Sequence, residues 1–309
     1  MARARVWLAA GVAAAVGVAG AAAGAPAAGS EWAPVGELLT YRVEAMGMEA
    51  GLVRVGVTER FDLGDRVVAT LAGEAHARGV YTAWHHLPDE VLSRIDLGAR
   101  VPVQTVTRWG EPGHRWDVHM EYPSATAGRT AVSVFPEGKK PRSWAFRWRD
   151  GTQDVLSAIY AARGRAWAIG DRMSAPVYVG WDLFAVEMHA ARREWIATAW
   201  GPHNAIALEV TAVATPDTRL AVPGAKPKLP PKVPGGAKVA TAAASSAKPA
   251  TAAAASATPA APAKPKPPEV YKVTVWLTDD AGHVPLEARA TYEGIPLRAL
   301  LVDRAVPSS

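Results

Sequence analysis

An all-β fold is predicted for this chain: a single antiparallel curved sheet or open barrel of about ten strands with one short helix, interrupted by a long disordered insertion. Three observations lead there. Apolar and polar residues alternate with period two in segment after segment. Gly and Asp-Gly punctuation leaves connections too short for parallel crossovers. Finally, a collapse of composition near the C-terminus separates the last strand-like segments from the rest.

The chain begins with Arg3 and Arg5, an Ala/Gly/Val stretch from Val6 to Ala23, and small residues around Ala25-Pro26-Ala27. This is the tripartite layout of a secretory signal, so residues 1–27 are read as removed on export. A retained anchor is the alternative, because the stretch is just long enough to span a bilayer. The chain has no cysteine, which excludes lipid-modified cysteine, disulfides, thiol nucleophiles and thiolate metal sites. Export to the periplasm of a bacterium is expected, with an extracellular location as the other option.

Residues 28–214 and 270–309 are read as one β-rich domain. Val53, Val55, Val57 and Phe61 are assigned to one strand face, against Arg54, Thr58 and Arg60 on the other. Trp116, Val118, Met120 and Tyr122 alternate with Arg115, Asp117, His119 and Glu121. The rule continues through Phe184-Val186-Met188, Ile206-Leu208-Val210 and Tyr271-Val273-Val275-Leu277. Each pattern gives one wet face. Asp150-Gly151, Gly180 and Gly201-Pro202 mark turns. One helix interrupts the strands: Asp154 caps it, Leu156, Ile159, Tyr160 and Arg163 share a face, and Gly164 ends it.

Residues 215–269 are rich in Ala, Pro, Lys, Ser and Thr, with Pro227, Pro230, Pro231, Pro234, Pro249, Pro259 and Pro262 forbidding a continuous helix. Such a tract buries too little apolar surface to order itself. The roughly forty residues after it are too few to fold alone without disulfide or metal, so they are expected to complete the earlier sheet. Closing the loop costs only about 3–4 kcal/mol. Its reach of roughly 40 Å is ample. The tract is therefore an insertion and not an interdomain linker. It also carries seven lysines; setting these aside with Arg3 and Arg5 turns the formal charge of +5 into −4 for the remaining residues. No nucleic-acid partner is expected, since the folded body lacks a basic footprint. The lysines offer peripheral contact with an anionic envelope surface, with a solvated spacer as the plainer reading.

Four segments resemble a known family, the bacterial envelope proteins of domain of unknown function 3108. They are Gly36-Glu37-Leu38 with Tyr41 and Gly51; Ser93 with Asp96 and Pro102; Asp154-Val155-Leu156-Ser157-Ala158-Ile159-Tyr160 with Arg163; and Val275-Trp276-Leu277-Thr278-Asp279-Asp280 with Pro285-Leu286. The long Ala/Pro/Lys tract departs from the family's shorter connection. The resemblance implies export and a largely β fold, and it brings no catalytic residues.

Motif-bearing hydrolases, nucleotide enzymes and metalloproteases find no support, because no Gly-x-Ser-x-Gly elbow, phosphate loop, dinucleotide fingerprint or His-Glu-x-x-His helix occurs. Asp279, Asp280 and His283 could serve as acid, base or metal ligands. A hairpin turn, with Asp accepting backbone N–H bonds and Gly282 supplying positive φ, explains all but His283. His85 and His86 fall in a loop, and His119 and His189 on wet strand faces. Glu37, Asp154 and Glu187 are the carboxylates that a hydrolase without a recognisable motif would pair in space. No catalytic residue, metal or cofactor is expected.

Eleven tryptophans remain after the signal. Trp144, Phe146 and Trp148 align on one strand face as an aromatic strip. The plain reading is a sheet core. The functional reading is that part of the strip lines a cavity for an apolar or amphipathic, lipid-like small molecule, with Ile159 and Tyr160 on a helical lid. A non-catalytic binding protein is thus expected. A structural or assembly factor contacting another envelope protein is the alternative.

Overall fold

The computed structural model describes residues 32–83, 89–111, 114–123, 128–147, 149–199, 201–215, 219–220 and 269–306. The signal segment, His85 and His86, Trp148 and nearly all of the predicted insertion lie outside the described residues. Sixteen strands are present among the described residues: β1 (Leu38–Ala45), β2 (Met48–Leu63), β3 (Arg66–Ala77), β4 (Asp89–Asp96), β5 (Val101–Glu111), β6 (His114–Glu121), β7 (Arg129–Pro136), β8 (Arg142–Arg147), β9 (Gln153–Asp154), β10 (Arg172–Val179), β11 (Asp182–Thr198), β12 (Gly201–Ala214), β13 (Arg219–Leu220), β14 (Val270–Thr278), β15 (Pro285–Tyr292) and β16 (Ile295–Ala305). One α-helix, α1, spans Val155–Arg163.

The expectation of about ten strands was too low, for two physical reasons. In β3 the consecutive residues Val68, Ala69, Thr70 and Leu71 are all buried, so alternation is erased. The strands β9 and β13 are two residues long and carry no period at all.

All strands form one sheet in the order β13-β8-β7-β6-β5-β4-β3-β2-β1-β16-β15-β14-β12-β11-β10-β9. Neighbours are antiparallel except β9 and β10, which pair in parallel because α1 serves as a crossover between them. The C-terminal strands enter the middle of the order: β14 pairs with β12, and β16 pairs with β1. The sheet does not close into a barrel, since its outer members β13 and β9 do not pair with each other.

A sheet this wide has to curl. Bulges assist by bending individual strands, as between Val57 and Glu59 and between Ala190 and Arg192. The first of these overturns one assignment. The extra residue reverses the alternation, so Phe61, which pairs with Val68, faces away from Val57, and the Arg94 guanidinium lies over its ring at 5.7 Å.

Inward residues of β1, β2, β12, β14, β15 and β16 build the main core, among them Leu39, Val55, Leu208, Val275, Leu286 and Leu301. Each fully buried aliphatic side chain of this size contributes about 1.5–3 kcal/mol. A second core links the two ends of the sheet by side chains alone. Tyr178 of β10 meets Phe146 of β8 at 5.3 Å and Tyr122 at 6.3 Å, and Trp109 of β5 meets Trp181 at 5.0 Å. Gly180 sits at this seam with φ +61, and a Cβ there would reach the Trp109 ring at 3.0 Å. The helix fills the interior of the curl, packed against β3 and β4 on one side and β9 and β10 on the other.

Candidate binding site around the helix

The start of α1 is fixed by Asp154. One carboxylate oxygen accepts from Ser157 N at 2.8 Å, while Ser157 Oγ accepts from Asp154 N at 2.9 Å, a reciprocal capping box. The other oxygen accepts from the hydroxyls of Ser93 on β4 and Thr105 on β5. Burial pushes the Asp154 carboxyl above its usual range, although all of these hydrogen bonds act in the opposite direction.

The end of α1 is held as firmly. The Arg163 guanidinium forms a two-toothed ion pair with Glu37, with Nη2 to Oε1 at 2.9 Å, and both side chains are buried. Arg304 adds a second cation to Glu37 at 3.0 Å, and Tyr160 donates to it at 3.4 Å. Burial disfavours the Arg163 charge, but the Glu37 bonds prevail and raise its pKa. Gly56 makes room for this segment, since a Cβ there would stand 2.5 Å from the Glu37 carbonyl. The last helical carbonyls find donors in Trp167 Nε1, Gly164 N and His283.

His283 clarifies the Asp-rich hairpin. Its Nδ1 lies 3.1 Å from the Arg163 carbonyl, which can only accept, so Nδ1 carries the proton. Asp280 accepts from Gly282 N, His283 N and Thr278 Oγ1, as a turn carboxylate does. The positive φ falls on His283, at 38°, and not on Gly282 as the sequence suggested. Asp279 is taken by Arg193 at 2.6 Å. All three groups thus serve the structure of the turn and its contact with the helix end.

Between the helix start and the sheet lies a cavity of about 70 Å³. Val53, Val55, Val91, Met120, Leu156 and Tyr178 give it apolar walls, Asp154, Thr105, Thr107 and Tyr122 make a polar corner, and Glu74 and Asp89 add carboxylates to the lining. Ala75, Val91, Val155 and Gly180 in its wall are partly exposed, so it communicates with solvent.

The four segments that carried the family resemblance therefore meet at one helix. Glu37 and Tyr41 come from the first, Ser93 from the second, α1 from the third and the 278–283 turn from the fourth. Tyr41 donates to the Pro285 carbonyl at 3.0 Å, closing the set across the core. The model of a family described as "Protein of unknown function (DUF3108)" matches residues 40–220. The chain belongs to that family. No curated protein matches the sequence. Among solved structures, it is similar to a beta-barrel-like protein of domain of unknown function DUF1849 from Brucella abortus, with 9% identity, 90% of this chain and 100% of that one covered, and a TM-score of 0.49. A Bacteroides fragilis protein assigned as exported, with YmcC-like fold, gives 8% identity, 88% and 97% coverage and a TM-score of 0.34. A Parabacteroides distasonis protein assigned as a lipoprotein gives 8% identity, 89% and 98% coverage and a TM-score of 0.33.

In this DUF3108 member the described part of the aromatic strip, Trp144 and Phe146, does not line the cavity. Trp144 and Phe146 meet edge-on at 6.4 Å in the second core, where Phe146 is buried. Ile159 and Tyr160 are in the main core on the far turns of α1 and do not border the cavity. The helix reaches it through Val155 and Leu156 instead. A lid role for α1 conflicts with its pinning at both ends. Asp154 and Glu37 serve opposite ends of the helix with separate partners, and Glu187 is exposed on the outer face. His119 also departs from expectation: it is buried, edge-on to Phe135 at 5.1 Å, and burial lowers its pKa. His189 is partly exposed beside Glu209 at 3.9 Å.

Proposed function

We propose that this chain is an exported, non-catalytic envelope protein that binds an amphipathic molecule at the cavity beside Asp154. One observation carries the reading: a mainly apolar, solvent-connected space has a polar corner made by the buried Asp154 carboxyl and threonine hydroxyls, with the carboxylates of Asp89 and Glu74 elsewhere in its wall. Sites with this contrast hold a ligand by its apolar part and orient it by a few polar bonds. The space is about half the ~150 Å³ that accepts benzene in an engineered cavity, so it receives the tip of a chain, about three or four carbons. The rest of the molecule extends outward past Val91 and Val155. Groups that donate hydrogen bonds or carry positive charge suit the Asp154 corner; anionic groups do not. The signal-like N-terminus supports export to the periplasm.

Native mass spectrometry of mature protein purified without detergent tests this. A retained amphipathic mass that Val91→Phe abolishes is the expected result. Protein that is ligand-free and takes up no added short amphiphile overturns it.

A second reading rests on the sheet margins. Among the described residues, two residues of β13 pair with β8 and two of β9 pair with β10, which leaves these margins as the places where another envelope protein would add a strand.

A further inference from the structure

The outer face of the sheet holds a second concavity, on the side away from the helix. Glu209, Thr274, Arg289, Arg298 and Glu44 form one straight cross-strand row over β12, β14, β15, β16 and β1. The groove above them measures about 730 Å³, within the ~300–1,000 Å³ of small-molecule sites.

The row contains an arrangement that antiparallel sheets avoid. Arg289 and Arg298 are directly opposite each other, where like charges repel. Glu287 resolves this in part. Its carboxylate is fully buried beneath them, accepting from Arg289 Nε and from Arg298 Nε and Nη2. One carboxylate between two guanidiniums leaves one positive charge. It also leaves both Nη atoms of Arg289 and Nη1 of Arg298 without a hydrogen bond among the described residues. Of the flanking acids, Glu44 acts on Arg298 from a distance but bonds to Arg42 at 3.1 Å, and Glu209 bonds to Arg192 at 3.6 Å, so neither takes up a free guanidinium N–H of the row. Lys272, exposed and unbonded among the described residues, adds a further cation to the wall, and Thr274 and Thr291 add hydroxyls. Arg289 is steadied from below by the Trp276 ring at 4.9 Å, and Trp276 in turn donates to Glu194 at 2.6 Å.

We propose that this groove is an oxyanion site for a phosphate group, carried either by a small soluble molecule or by a lipid headgroup. Two oriented guanidinium forks, an ammonium and two hydroxyls converge from different directions, which suits a tetrahedral anion with several oxygens. The buried Glu287 holds the forks in place before the ligand arrives, reducing the ordering cost of binding.

The test titrates full-length mature protein at low salt with inorganic phosphate, with glycerol 1-phosphate and with phosphatidylglycerol vesicles, reading heat or Trp fluorescence. Saturable binding that weakens about tenfold in Arg289→Gln and in Arg298→Gln is expected, with Arg54→Gln, on another part of the sheet, unchanged. Lys272→Gln, which removes no structural bond, should weaken it about threefold in a protein of unaltered stability. Binding of the soluble phosphates assigns a soluble ligand; arginine-dependent binding of vesicles alone assigns a headgroup. Absence of saturable binding in every arm, or equal loss in Arg54→Gln, overturns the proposal.

Discussion

Arg163 and Glu37, 126 residues apart in sequence, form a two-toothed ion pair in which both side chains are buried. Removing Glu37 strands the Arg163 charge in the core, and removing Arg163 leaves Glu37 with only the partly exposed Arg304 and the Tyr160 hydroxyl. Arg163→Gln or Glu37→Gln should therefore cost about 3–5 kcal/mol, whereas the double change Glu37→Leu/Arg163→Leu should cost less than the sum of the two single changes. Urea unfolding of the three variants measures this. Full additivity would mean that the two side chains do not act as a pair.

Asp154 should give the protein an inverted acid response at one site. Burial raises its folded pKa, so the folded chain keeps this proton at pH values where the unfolded chain, titrating near about 4, has lost it. Its contribution is full below that value and declines as pH rises through the folded pKa. Asp154→Asn preserves a good helix cap. It should remain stable and lose that part of the slope when urea midpoints are compared between pH 4 and pH 7.

His283 has the opposite sign. Its folded pKa is lowered, mainly by burial, so on acidification the unfolded chain takes up a proton near pH ~6.5 while the folded ring stays neutral. Stability is lost from there down to the lowered folded value. His283→Gln should cost about 1 kcal/mol at pH 7.5, through its bond to the Arg163 carbonyl. Its penalty should shrink at pH 5.5. A penalty independent of pH would show that burial does not lower the folded pKa of the ring.

Residues 222–266 should be removable. Ala214 N donates to the Glu269 carbonyl at 2.9 Å, so the strands on either side of the tract already touch. Replacing the tract by a short Gly/Ser loop should leave the β circular-dichroism spectrum intact and raise stability by roughly a kilocalorie per mole. Unfolding of the shortened chain would contradict the sheet order drawn here.

The parts of this fold legible in the sequence are those set by neighbours in sequence. The period-two faces of β6, β12 and β14, the Asp154 cap and the turn made by Asp280 all follow from local rules. What escaped depends on residues brought together from afar. Thr105 gave no hint of its bond to Asp154, and the reading of Glu37 as a carboxylate to be paired in space did not foresee Arg163 and Arg304 closing on it. A single bulge was enough to turn Phe61 to the other face. The aromatic strip pointed to the seam between Phe146 and Tyr178, while the cavity formed one turn of helix away from Ile159 and Tyr160, at Val155 and Leu156.

Side-chain methyl NMR of Val53, Val55, Val91 and Leu156 during titration with butylamine, butanol and butyrate tests the binding role most directly. Saturable shifts with butylamine and butanol, weak or absent with butyrate, and lost in Val91→Phe, are what a cavity ending at the Asp154 carboxyl requires. Unmoved methyls with all three molecules would contradict it.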